Sequence, residues 1–207
     1  SQLTSGGMTA LMKYSQEYAV QYNFNATGGN DALPLYEITE DLQHQNSTWV
    51  STTENYLASH PECNVVMWAW CGIYEMDIDK YLADMEVLIS KYGPGGTVSR
   101  ENPVNFVFMN AHTWPYPGEG IGEWVYNANQ KIRKYCEENN RWLYDFYDLE
   151  CWDPDNNYFG DGTPERVYTG EKRLRWDCSY DLVGEGRGNW GIEWMQANPD
   201  AELTELA

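Results

Sequence analysis

Positive charge is scarce in this sequence: 13 Lys and Arg stand against 32 Asp and Glu, for a formal net charge of -19. A surface that acidic repels phosphate backbones and anionic lipid headgroups, which argues against nucleic acid and membrane surfaces as partners. It favours cations or neutral partners such as glycans. Long apolar runs are missing too; none approaches the roughly 20 residues that span a bilayer, so no membrane span is expected. The five cysteines include no CxxC pair and no Cys/His cluster, which argues against structural zinc and covalently attached haem. Histidine is limited to His44, His60 and His112, so any imidazole chemistry has few candidates.

Aromatic residues, by contrast, are abundant: 15% of the chain, with 10 Trp and 16 Tyr. Part of that supply belongs in a core, and the excess suits an extracellular surface that stacks sugar rings. Scattered cysteines in such a chain fit an oxidising, extracellular compartment. Asn25 and Asn46 each open an Asn-x-Ser/Thr sequon that permits glycosylation. At 207 residues the chain is long enough for one domain with a genuine core. No internal repeat or inter-domain linker is visible.

Periodicity divides the chain into helices and short apolar strands. Met8, Leu11, Met12, Tyr18, Ala19 and Tyr22 recur at helical spacing within 7–22, and a Gly/Asn-rich loop follows over 23–31. A second helix is read over 47–60, with Trp49, Val50, Thr53, Tyr56 and Leu57 on one side. The run CNVVMWAW (63–70) is too short for a buried helix and reads as a strand covered on both faces, as in parallel sheets. Ile78, Tyr81, Leu82, Met85, Leu88, Ile89 and Tyr92 then form one stripe over 78–92, which Gly93-Pro94-Gly95-Gly96 ends. VNFVFM (104–109) is the next buried strand. Val125, Ala128, Ile132, Tyr135 and Cys136 line a helix over 122–139, and 142–146 is a further strand. Residues 151–188 read mostly as loop, and 189–196 as a short helix.

Strand, helix, strand, helix, strand with apolar strands is the pattern of a parallel α/β sheet. Ligands of such sheets bind beyond the carboxyl ends of the strands. That rule selects Trp70-Cys71-Gly72, Asn110-Ala111-His112 and the stretch 148–161. It also sorts the cysteines: Cys71, Cys151 and Cys178 belong at the carboxyl end, Cys63 and Cys136 at the other. A Cys63–Cys136 bridge is geometrically possible, whereas a straight strand holds Cys63 and Cys71 too far apart.

Several strings carry a resemblance. VVMWAWCG (65–72), VNFVFMNAH (104–112), NANQKIRKYCEENNRWLYDFYDLECWDPD (127–155), DCSYD (177–181) and GNWGIEW (188–194) follow in this order. They resemble a group of secreted bacterial SGNH (GDSL-like) hydrolase-like proteins, which read WSWCGQ, FVYMTGH, NxxIRxYCxxNNKxLYDFxDIExYDPD, CxYD and GNWxxEW. The opening Ser1-Gln2-Leu3-Thr4 with Gly7-Met8 is similar to their HGSQL-T-GM segment. The resemblance implies a flavodoxin-like three-layer α/β/α sandwich with a mostly parallel sheet, and esterase or deacetylase chemistry on a carbohydrate or small ester, with no cofactor required. It places Ser1 at the nucleophile position. Gly28, Gly29, Cys71 and Gly72 fall where oxyanion donors are supplied, and His112 sits beside them as the candidate base. The strand before such a serine, and the C-terminal helix that carries the usual histidine, are expected outside this sequence. Residues 1–197 are then one domain and 198–207 a polar tail. Ala69 and Ile73 replace two hydrogen-bonding side chains of the family string, which predicts slow turnover.

Other candidates are weighed on their residues. Trp70, Asn110, Trp114 and Trp152 lie near the expected mouth and are candidates to touch substrate. Trp190 and Trp194 on one helical turn serve either a core or a sugar platform. Asp153, Asp155, Asn157 and Asp161 place oxygens at near-alternating positions, a set that calcium prefers, although the EF-hand order is absent and a solvated acidic turn is the simpler reading. His60 at a helix C-terminus is explained by the helix dipole alone. The competing function is a non-catalytic glycan-binding or cell-surface module on the same fold.

Overall fold

The computed structural model describes residues 12–13, 15–21, 23–38, 48–68, 73–112, 121–152, 156, 158, 164–168 and 171–174. The described residues divide between two units, one within 1–39 and one within 40–190.

In the first unit, helix α1 (Gln16–Gln21) begins afresh inside the single helix expected over 7–22. Ser15 is the reason: its Oγ accepts from the Tyr18 N–H at 3.1 Å, an N-cap that starts a new helix. Strands β1 (Phe24–Asn25) and β2 (Leu33–Pro34) then pair in parallel. The loop between them is organised by the Asn25 side chain. Its Oδ1 accepts from the N–H groups of Thr27 (2.9 Å) and Gly28 (2.6 Å), and its Nδ2 donates to the Gly29 carbonyl at 2.9 Å. Gly28 has a φ of 71°, a conformation that glycine adopts without strain.

In the second unit, helix α2 (Thr48–Ser59) leads to strand β3 (Val65–Met67), helix α3 (Ile78–Tyr92) and strand β4 (Asn105–Met109). Helix α4 (Ile121–Glu138), strand β5 (Trp142–Tyr144) and helix α5 (Phe146–Glu150) follow. The strands form one parallel sheet in the order β3-β4-β5, with Met67 opposite Val107 and Met109 opposite Tyr144. The fold is therefore α/β on a parallel sheet, as the alternation of apolar strands and helices led us to expect. No helix among the described residues is long and apolar enough to cross a membrane.

The helix ends follow from local chemistry. Asp77 caps α3 by accepting from the Lys80 N–H at 3.0 Å. At its other end the chain passes so close to itself that a Cβ on Gly96 would lie 2.5 Å from the Lys91 carbonyl oxygen. Helix α4 ends on Asn140 with φ 51°, while Arg141 N–H reaches back to the Cys136 carbonyl and Asn140 N–H to that of Glu137. This is the Schellman arrangement, which asparagine tolerates better than most residues.

Aromatic rings hold the core. Phe108 of β4 meets Tyr81 of α3 and Tyr135 of α4, both at 5.9 Å between centroids, so both helices cover the same sheet face. Trp49 of α2 packs on Tyr81 and on Trp68 beyond β3. The Trp68 indole N–H donates to Thr53 Oγ1, which itself donates to the Trp49 carbonyl. A pair of polar groups that burial would penalise is thereby satisfied. Coverage on both faces holds best for central β4: on the edge strands Val65 is 54% and Trp142 72% exposed.

Two readings are corrected. The third strand ends at Tyr144 rather than Phe146, because Asp145 caps α5 by accepting from the Asp148 N–H at 3.1 Å. Within the stretch read as loop, strands β6 (Pro164–Tyr168) and β7 (Glu171–Leu174) form an antiparallel hairpin. Charged residues mask its alternation. Cys63 precedes β3 and Cys136 lies in the last turn of α4, at the amino end of the sheet, while Cys151 follows α5 at the carboxyl end. Cys63 and Cys136 are not joined in a disulfide. The positions of Cys71 and Cys178, and the segments 189–196 and 198–207, lie outside the described residues.

Candidate functional site

The carboxyl end of β4 is held by side chains from three directions. Its pairing with β3 ends at Val107 and with β5 at Met109, so the chain beyond needs other partners for its backbone groups. Tyr81 of α3 supplies one set: its hydroxyl donates to the Met109 carbonyl at 3.3 Å and accepts from the Met109 N–H at 3.2 Å. Burial raises the Tyr81 hydroxyl well above the ordinary phenol range. Asn129 of α4 supplies the next: its Oδ1 accepts from the Ala111 N–H at 2.9 Å and its Nδ2 donates to the Ala111 carbonyl at 3.3 Å. Between them the fully buried Asn110 donates to Asp145 Oδ1 at 2.6 Å and accepts from the Tyr147 N–H at 3.0 Å. The half-buried His112 leaves this pinned strand end.

Beneath the rim lies an ion network. Arg133 of α4 donates to both oxygens of Asp145, at 2.5 Å and 2.9 Å, and more distantly to Asp148 at 3.4 Å. Its guanidinium lies 5.5 Å from the centre of the buried Tyr147 ring. Burial works against the charge on Arg133, yet the hydrogen bond and charge of Asp145 hold it protonated beyond the ordinary guanidinium range. Tyr158 is pushed up to about 12, first by burial and then by the neighbouring Cys151, with Arg133 pulling the other way.

Trp152 sits on this network. It follows α5, pairs with Tyr158 through an isolated antiparallel bridge, and is 43% exposed. Its indole N–H donates to Asp148 Oδ2 at 3.2 Å, and its ring lies 4.9 Å from that of Tyr158 at 45°. A continuous path of hydrogen bonds thus runs from Trp152 through Asp148, Arg133 and Asp145 to Asn110.

The expected site residues fare differently. Asn110 is committed to Asp145 and Tyr147, so it holds the strand exit rather than lining it. Gly28 and Gly29 form the Asn25-centred loop of the first unit, where the Gly28 N–H is bonded to Asn25 Oδ1. Ile73 is fully buried. Ser1, Trp70, Cys71, Gly72, Trp114, Asp153, Asp155, Asn157 and Asp161 lie outside the described residues. Among the described residues no group of three or more His, Cys, Asp or Glu is placed to hold a metal ion. His60 stacks on Tyr56 at 4.1 Å and pairs with Glu62 at 2.8 Å, in keeping with its structural reading.

Sequence reasoning passed over Asn129, Arg133 and Asp145, and reached Asp148 and Tyr158 only within the stretch 148–161. Asn129 carried a signal, a polar residue four positions from Val125 and three from Ile132 within an apolar helix stripe. Arg133, Asp145 and Asp148 belong to the very string that carried the family resemblance.

Models of known protein families, curated proteins and solved structures give no match to this chain.

Proposed function

We propose that this protein is an extracellular serine ester hydrolase whose site lies on the carboxyl rim of the parallel sheet. The observation that supports it is the strand exit at 109–111, held by Tyr81, Asn110 and Asn129 so that His112 follows from fixed backbone. A general base gains from such fixing, because proton transfer requires hydrogen-bond geometry in the transition state. In this reading a serine hydroxyl oxygen attacks the acyl carbon while His112 takes its proton. Backbone N–H groups, with Gly72 as a candidate, hold the oxyanion. The imidazolium returns its proton to the departing alkoxide, and water then cleaves the acyl-serine with His112 again as base.

The test is labelling with a fluorophosphonate, followed by peptide mapping, together with hydrolysis of p-nitrophenyl acetate. Both are measured on the full-length gene product. Labelling at Ser1 is expected, and His112→Ala should lower turnover by about 10²–10⁴-fold. Labelling at another serine moves the nucleophile from Ser1, and no labelling at all overturns the hydrolase and leaves the glycan-binding module.

A further inference from the structure

An exposed aromatic residue is ordinary on a protein surface. Trp152 differs in being fixed at its polar end, with its indole N–H on Asp148. Its ring packs 4.9 Å from that of half-buried Tyr158, and the two residues pair through a backbone bridge. The Asp148 carboxylate belongs to an ion network that is joined to the β4 exit through Arg133, Asp145 and Asn110. A flat apolar surface is thereby held still before any ligand arrives, which reduces the ordering cost of binding. Half-exposed Asp148 offers carboxylate oxygens beside it. A rigid ring with acceptors at its edge matches a pyranose, whose axial C–H faces are apolar and whose rim carries hydroxyl donors. The net charge of -19 disfavours an anionic chain.

We propose that Trp152, backed by Tyr158 and steered by Asp148, is a stacking subsite for one pyranose ring of a neutral glycan on the carboxyl rim. The proposal rests on the hydrolase reading for its consequence, since it names the glycan as the group that carries the ester. The binding itself is separable from catalysis.

The experiment measures binding of cellohexaose, xylohexaose and N-acetylchitohexaose by saturation-transfer NMR and calorimetry. A polygalacturonate oligomer serves as the anionic control, and p-nitrophenyl acetate hydrolysis is followed in parallel. At least one neutral hexasaccharide should bind, and the anionic one should not. Trp152→Ala should weaken binding by about tenfold or more, as for truncation of a buried contact tryptophan. Trp152→Phe keeps a ring and should stay within about threefold. Asp148→Ala frees the indole and should lie between them. Trp142→Ala, at the amino end of β5, should leave binding unchanged. Absence of binding to every neutral hexasaccharide overturns the subsite, as does equal loss in Trp142→Ala and Trp152→Ala. Trp152-dependent binding without any ester hydrolysis upholds the subsite and removes the hydrolase instead.

Discussion

Replacing Asn129 by leucine, its closest apolar match in size, tests whether the strand exit depends on the helix α4 amide. The change removes both bonds to Ala111 at once. Asn129 and Ala111 are both buried, so water cannot easily replace what is lost. Each backbone group left without its partner costs about 1–3 kcal/mol. Burial of the larger apolar side chain returns roughly 1 kcal/mol, which leaves a net loss of about 1–5 kcal/mol. For a chain of this length that lowers the melting midpoint by roughly 2–20 °C. Asn129→Asp sharpens the argument. An ionised aspartate still accepts from the Ala111 N–H but faces the Ala111 carbonyl with a charge. Its carboxyl pKa therefore rises in the folded state above the unfolded value near about 4. By linkage the variant is most stable relative to wild type below that value, and it loses stability as pH rises through the folded pKa. Urea titrations of both variants across the acid range, with exchange of the Ala111 amide followed by NMR, provide the measurement. A loss under about 0.5 kcal/mol for Asn129→Leu, the scatter of neutral surface changes, would refute the clamp.

Arg100 bonds the carbonyls of Leu57, His60, Pro61 and Cys63, tying the end of α2 to the start of β3. Arg100→Met keeps the stem but should cost about 2–3 kcal/mol in urea unfolding, and a cost near zero would show that water satisfies those carbonyls as well. Tyr135 and Tyr158 are both raised from 10.0 to about 12, chiefly by burial. The folded state therefore keeps protons that the unfolded state has released, and their stabilisation is present below pH 10 and fades as pH rises toward about 12. Tyrosinate absorbance should show a late-titrating class that collapses to the ordinary range in urea. Burial also pushes the Cys136 thiol up to about 12, so iodoacetamide should modify it only on unfolding; rapid alkylation of the native protein at neutral pH would contradict its placement.

The parts of the fold legible from sequence are those where one strong pattern dominates. The stripe over 78–92 became helix α3 to the residue because cap, period and glycine stop agree. The parallel sheet was legible because short apolar runs alternated with amphipathic helices. What was missed depends on single side chains acting on backbone. Ser15 splits a helix that periodicity runs together, and Asp145 ends a strand that hydropathy would extend through Phe146. The rim was less legible still. His112 was identifiable from its place after a strand, but Asn129, Arg133 and Asp148 reveal their purpose only when α4 and α5 meet the β4 exit. Conversely, Asn110 was taken for a contact residue because it lies on the rim in sequence; its burial and both its bonds assign it to support.

That distinction between holding and touching orders the whole rim. Asn110, Asn129, Asp145 and Arg133 have their polar atoms engaged by the scaffold, and each loses a buried or charged partner when removed. Half-buried His112, half-exposed Asp148 and exposed Trp152 remain accessible from solvent. Removing a holder leaves an unsatisfied buried group, so its cost appears in folding and is carried into any reaction that depends on the held backbone. Removing a contact residue at the surface leaves little unsatisfied, so its cost should appear in binding or turnover alone. Trp152 lies on the border: its ring meets solvent while its N–H engages Asp148. Asp148 in turn is only the weaker partner of Arg133, at 3.4 Å against 2.5 Å for Asp145. The ion pair that stabilises the scaffold is therefore largely Arg133–Asp145, which leaves Asp148 able to orient an aromatic surface without the fold depending on it.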